Sequence, residues 1–192
     1  MDEKNTEYPS KQAFIPSAMA ICVFPVPGLP YMTALLPSLI KSNVSNTGTT
    51  AVSWIGAKGL MQLMPKTARA LGVPDGKEQN AEESVKAATK YLAQLGRSFS
   101  KVTDPEEKIK FILASYNAGI GHVFDAMALA EKYGKNKYVW EDNVETYILL
   151  KSHEEYFNDP VCKNGYFRGR ETYNFVRDIL GRTKMYQEKI KK

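Results

Sequence analysis

Acidic residues are missing from the whole stretch between Glu7 and Asp75, although the 192-residue chain carries 21 of them. Chemistry that draws a carboxylate from that stretch is therefore excluded. Cysteine is scarce as well. Cys22 and Cys162 are the only two, far apart and outside any CxxC spacing, which excludes a disulfide-stapled scaffold and leaves open whether they pair. The two histidines, His122 and His153, belong to no HExxH pattern and have no cysteine partner, so no metal site and no cofactor are expected. No long apolar run is uninterrupted. The most apolar stretch, Ala13 to Ile40, is cut by Pro16, Pro25, Pro27, Pro30 and Pro37. Each proline removes a backbone donor and clashes with the turn before it, which excludes an ordinary membrane-spanning helix. A secretory leader is not expected either, since Asp2, Glu3 and Glu7 offset Lys4 and Lys11 where a basic segment would stand. Net charge is only +5, and residues 75–192 hold 20 basic against 18 acidic side chains. That balance excludes a concentrated phosphate-tracking patch, and with it nucleic acid as the expected partner.

What is present fits one globular unit: 43% of residues are apolar and 24% charged, in a chain long enough to bury a core. The composition changes near position 50. Residues 1–50 are proline-rich and almost acid-free, ending in the loop-like Lys41–Thr50; residues 51–192 read as a helical domain. Asn80 followed by Glu83 forms a capping-box pattern, and Val85, Ala88, Leu92, Leu95 and Phe99 recur at three/four spacing, which predicts a helix over 81–98. Asp104-Pro105-Glu106-Glu107 supplies a cap, a proline at the first helical position and first-turn acids for a second helix ending near Gly119. Further helices are expected over about 121–133, 142–157 and 170–190. The last carries Phe175, Val176, Ile179, Thr183 and Tyr186 on one stripe. Alternating strand patterns are nearly absent, so the expected fold class is mainly α.

Two segments carry more than helix filler. In Gly56-Ala57-Lys58-Gly59-Leu60-Met61-Gln62-Leu63-Met64-Pro65, two glycines three apart permit a tight turn, and Gln62 can both donate to and accept from sugar hydroxyls or acetamido groups. The alternative is a loop entering a helix, with Leu60, Met61, Leu63 and Met64 as core. In Ala114-Ser115-Tyr116-Asn117-Ala118-Gly119, a tyrosine and an asparagine occupy a last helical turn; alternatively Tyr116 is core and Asn117 a C-terminal cap. These two segments, about fifty residues apart and followed by Gly165-Tyr166-Phe167-Arg168-Gly169-Arg170-Glu171-Thr172-Tyr173, resemble the soluble-lytic-transglycosylase (SLT) domain of family 1 lytic transglycosylases. The resemblance is greatest to the catalytic module of the membrane-bound type F enzymes, and it covers about Ala51 to Lys192.

The resemblance implies a lysozyme-like helical fold, shared with goose-type lysozymes, and a peptidoglycan substrate whose N-acetylmuramic acid to N-acetylglucosamine bond is cleaved without water, leaving a 1,6-anhydromuramoyl end. It implies a groove lined by Ser45, Ser53, Met61, Gln62, Tyr116, Asn117, Ala118, Gly119 and Tyr173, with Tyr116 and Glu171 supporting catalysis. It also implies a periplasmic or cell-envelope location and, for the domain, a monomer. Such enzymes use a single glutamate followed by serine. Here Val44 stands in that slot, ahead of Ser45, and valine cannot donate a proton. Three explanations follow: residues 1–50 are a degenerate or frame-shifted stretch, the protein is a non-catalytic glycan-binding module, or Glu7 or Glu171 folds into the slot. The first is preferred, because the composition change coincides with the onset of the family resemblance.

Overall fold

The computed structural model describes residues 50–53 and 55–190; Val44 and Ser45, and the expected boundary at 50, lie outside or at the edge of the described residues. Among them the chain is helical, with two isolated antiparallel bridges, Val52 to Lys58 and Lys58 to Leu63, as its extended pairing. Helix α1 spans Pro65–Ala70, α2 Ala81–Ser98, α3 Pro105–Ala118, α4 Ile120–Lys132, α5 Glu145–Leu150, α6 Glu154–Phe157 and α7 Gly169–Ile190. A π-type turn over Trp140–Val144 precedes α5.

Local chemistry explains the boundaries. The Asn80 side chain accepts the Glu83 N–H at 3.0 Å, starting α2 where the capping pattern predicts it. Asp104 accepts from the Glu106 and Glu107 N–H groups, and Pro105 sits where a missing donor costs nothing, so α3 also begins as expected. It stops at Gly119, whose φ of 85° takes the chain out of helical conformation and into α4. The expected helix over 142–157 is instead broken. Glu141 and Asp142 have non-helical backbone angles, with Asp142 at φ 55°. At the other end Lys151 leaves the helix, its carbonyl taking the Phe167 N–H at 3.3 Å while its side chain is drawn fully inside. An apolar periodicity cannot reveal that a lysine inside it will be pulled into the core by a partner 26 residues away.

The core runs from Leu60, Met61 and Leu63 through Val85, Ala88, Leu92 and Leu95 of α2 and Ile112, Leu113 and Ala114 of α3 to Val176 and Ile179 of α7. Phe111 bridges its aromatic part, 5.4 Å from Phe99 and edge-on to Trp140 at 5.6 Å. Helix α3 is central, packing against α2, α4 and α7. Its last turn, with Tyr116 and Asn117, is thereby held where α7 begins. Among the described residues no helix is long and apolar enough to cross a membrane.

Candidate functional site

The first motif folds as a tight turn, and α1 begins only at Pro65. Lys58 and Leu63 exchange both backbone hydrogen bonds, at 2.9 and 3.2 Å, and the Gly59 N–H reaches the Ala51 carbonyl at 2.9 Å. Gly59 adopts φ 73°, and a Cβ there would lie 2.2 Å from the Glu78 carbonyl oxygen, so only glycine fits. Gln62 also sits in the left-handed region, at φ 49°, a conformation that costs a side-chain-bearing residue energy. It is held there by its N–H and its Nε2, which both donate to the Gly59 carbonyl, at 3.1 and 2.9 Å. One N–H of the Gln62 amide is thus used within its own turn, and its second N–H and Oε1 remain to donate and accept.

Met61 fastens this turn to two helices. Its N–H donates to the buried Ser84 hydroxyl of α2 at 3.0 Å, and its carbonyl accepts the Tyr116 hydroxyl of α3 at 2.7 Å. Tyr116 also packs its ring 5.7 Å from that of Tyr91. Burial, and secondarily the neighbouring Tyr91, push the Tyr116 phenol far above the ordinary tyrosine range, so it remains a protonated donor.

Beside Tyr116, the Asn117 Oδ1 accepts the hydroxyl of Thr172, from the first turn of α7, at 2.6 Å. Thr172 is fully buried, whereas Asn117 is exposed. Gly169 lets α7 start close against α5, since a Cβ there would lie 1.8 Å from the Ile148 carbonyl oxygen. Two of the three motifs meet through Met61 and Tyr116, and the third joins them through Asn117 and Thr172.

The remaining expected site residues are placed as follows. Ser53 shapes the turn, its hydroxyl accepting the Ala57 N–H at 2.9 Å. The Met61 side chain is fully buried in the core, so what it offers the wall is its backbone carbonyl, already taken by Tyr116. Ala118 and Gly119 are half-buried at the end of α3. Tyr173 is half-buried with the Arg177 guanidinium 5.3 Å above its ring. Glu171 is 70% exposed and 3.7 Å from Arg168. Among the described residues, no three His, Cys, Asp or Glu side chains gather into a possible metal site.

Sequence reasoning missed Ser84, Tyr91 and Thr172. For Thr172 a signal existed: stepping back four residues from Val176 along the buried stripe lands on it, a hydroxyl on an apolar face. Ser84 carries the same signal beside Val85 and Ala88 of α2.

Residues 38–139 match the family model described as the transglycosylase SLT domain. The match begins ahead of Ala51 and takes in Val44 and Ser45. Over 130 residues the chain is 39% identical to the membrane-bound lytic murein transglycosylase F of Desulfosudis oleivorans, covering 68% of this chain and 28% of that protein. It is 35% identical over 144 residues to the protein of the same name from Sodalis glossinidius, covering 75% and 30% of the two chains. The corresponding protein of Aeromonas hydrophila is 33% identical over 144 residues, with 75% and 28% covered. The chain thus spans less than a third of the length of these relatives.

Proposed function

The chain belongs to the transglycosylase SLT domain family, and from that premise we propose that it engages peptidoglycan glycan strands as a lytic-transglycosylase-like module of lysozyme-like helical fold whose acid slot has lost its carboxylate. The observation that carries this reading is the meeting of the two motifs at Met61 and Tyr116, in a chain with no acid between Glu7 and Asp75. The groove wall is kept while the proton donor is gone.

In the one-carboxylate chemistry that the resemblance implies, the acid first protonates the glycosidic oxygen as the bond to the muramoyl C1 breaks. As carboxylate it then takes the proton of the C6 hydroxyl, whose oxygen closes on C1 in place of water. This differs from the usual glycosidase, which sets two carboxyl groups across the bond. Both proton transfers pass through the same group, so Val44 removes both. General acid–base catalysis is worth about 10²–10⁴-fold, and the native chain should cleave at the bottom of that scale.

The relatives' names, membrane-bound lytic murein transglycosylase F, support a cell-envelope location and murein as the polymer. The alternative is a non-catalytic glycan-binding module, for which Val44→Glu would leave release at background.

Incubation of the full chain with purified peptidoglycan, followed by mass spectrometry, tests the proposal. The wild type is expected to bind and release anhydromuropeptides at background, and Val44→Glu to raise release by about 10²-fold or more. Vigorous release by the wild type, unchanged by Val44→Glu, would overturn it.

A further inference from the structure

The segment that carries the chain from α6 to α7 is fastened to one cluster of titratable groups. Asp125 of α4 accepts the Lys163 N–H, the Asn164 N–H and the Asn164 side-chain amide. Gly121, one turn earlier on the same helix, leaves room for that side chain, since a Cβ there would lie 2.5 Å from Asn164 Oδ1. The Lys151 carbonyl takes the Phe167 N–H at 3.3 Å, and the His122 ring stacks on Phe167 with centroids 4.4 Å apart.

The fully buried Lys151 amine closes the cluster, donating to Asp125 and standing 3.2 Å from His122 Nδ1. An ammonium has three donors and no acceptor. Asp125, kept ionised by its donors, holds the amine protonated, so Nδ1 must be the acceptor and the His122 proton sits on Nε2. The imidazole is therefore neutral whenever the cluster is closed. We propose that His122 is a pH-sensitive latch on the segment 159–168: neutral, it accepts from Lys151 and packs against Phe167; protonated, it sets a second cation beside the Lys151 ammonium, with a single carboxylate to serve both, and the segment is released.

The half-buried ring is open to solvent protons. The charges acting on it are Lys151, from the end of α5, and Asp125, one turn along α4. From the segment itself the facing group is the uncharged Phe167; burial pushes the Cys162 thiol up and keeps it neutral, Asp159 is paired with Lys132, and the Lys163 side chain is exposed. Burial, then the Lys151 charge, lower the His122 pKa. The closed cluster thus binds fewer protons than the open one. Closure is complete above the ordinary histidine value of about 6.5 and is lost as pH falls through the lower one. Just beyond Phe167, in the first turn of α7, Thr172 bonds Asn117 at 2.6 Å. Releasing the segment loosens that turn, so acid weakens the candidate groove; this part rests on the glycan reading proposed above.

The test is amide hydrogen exchange of the full chain at about pH 7.5 and about pH 5, corrected for intrinsic exchange; the lower value stays above the range in which Asp125 titrates. The Lys163, Asn164 and Phe167 amides should be less protected than those of Leu113 and Ala114 in α3 at both values, and in the wild type should lose about a further tenfold at the lower one, the equivalent of one pKa unit. His122→Gln, which keeps an acceptor for Lys151 and cannot be protonated, should abolish that loss. Protection equal to that of α3, no loss in the wild type, or an equal loss in His122→Gln overturns the latch. Ring 15N shifts of wild-type His122 should place the proton on Nε2 at the higher pH, and a proton on Nδ1 overturns it without any variant. Retention on purified peptidoglycan should drop at the lower pH in the wild type and not in His122→Gln. Equal retention at both values by a wild type whose segment opens overturns the link to the groove. No retention at either overturns that link together with the glycan reading, while the amides still decide the latch.

Discussion

Tyr116 and Gly59 show how few atoms hold the candidate site together. The Tyr116 hydroxyl is the donor that ties the Met61 carbonyl to α3, and its raised pKa keeps it a donor throughout the physiological range. Tyr116→Phe deletes that donor and leaves the carbonyl without its partner, an expected loss of about 1–2 kcal/mol. Chemical denaturation should report it as a lower midpoint at unchanged slope, since the surface exposed on unfolding is the same. Gly59→Ala should cost more, about 2–4 kcal/mol, because the new Cβ meets the Glu78 backbone carbonyl at 2.2 Å and the φ of 73° is strained for any side chain. Gly72→Ala is the control: its φ of 93° is equally unfavourable, but a Cβ there has nothing within 4 Å. The difference between the two variants isolates the steric contact from the backbone conformation.

Between α6 and α7 the chain is fastened by one carboxylate. Asp125, 3% exposed on α4, pairs with the buried Lys151 amine and accepts the Lys163 N–H, the Asn164 N–H and the Asn164 side-chain amide. Burial pushes the Asp125 carboxyl upward, but the Lys151 hydrogen bond and the three other donors outweigh it and hold the pKa below the ordinary value. His122 places Nδ1 3.2 Å from the Lys151 amine and stacks on Phe167 at 4.4 Å; burial, then the Lys151 charge, lower its pKa. Both folded-state values are depressed, so both contributions are complete above the unfolded pKa and are lost as pH falls through the folded one. Acid destabilisation should therefore start below about pH 6.5 through His122 and deepen below about pH 3.9 through Asp125. His122→Gln should remove the upper limb and Asp125→Asn the lower, in urea midpoints measured across pH. At neutral pH Asp125→Asn strands a buried ammonium and should cost about 3–5 kcal/mol, whereas Asp125→Asn combined with Lys151→Met should cost less. This network is also what the sequence concealed. The caps of α2 and α3 and the stop at Gly119 were legible because each is written in adjacent residues. The break at Lys151 was not, because its cause is a carboxylate on another helix.

The same division between local and distant causes holds for the whole molecule. The turn at Gln62 is written within one motif, whereas the partners of Met61 and Asn117, Ser84, Tyr116 and Thr172, stand 23 or 55 residues away and had only their place on an apolar stripe to mark them. The carboxylate gap was legible from composition alone, and the family match from residue 38 takes in Val44. Yet the matched span, 38–139, does not hold the whole core. Trp140, Val144, Tyr147, Ile148, Val176 and Ile179 all lie beyond it, and each is 6% exposed or less in the shared core. Fully burying such side chains contributes about 1.5–3 kcal/mol apiece, together on the order of 10 kcal/mol, as large as the net stability of an ordinary domain. Helix α7 also covers α3 and α5 and supplies Thr172. A chain ending at Val139 keeps every matched residue but uncovers these faces. It is expected to show no cooperative thermal transition by circular dichroism, while the full chain melts in a single step; a sharp transition in the shortened chain would mean that α7 is an accessory to the core.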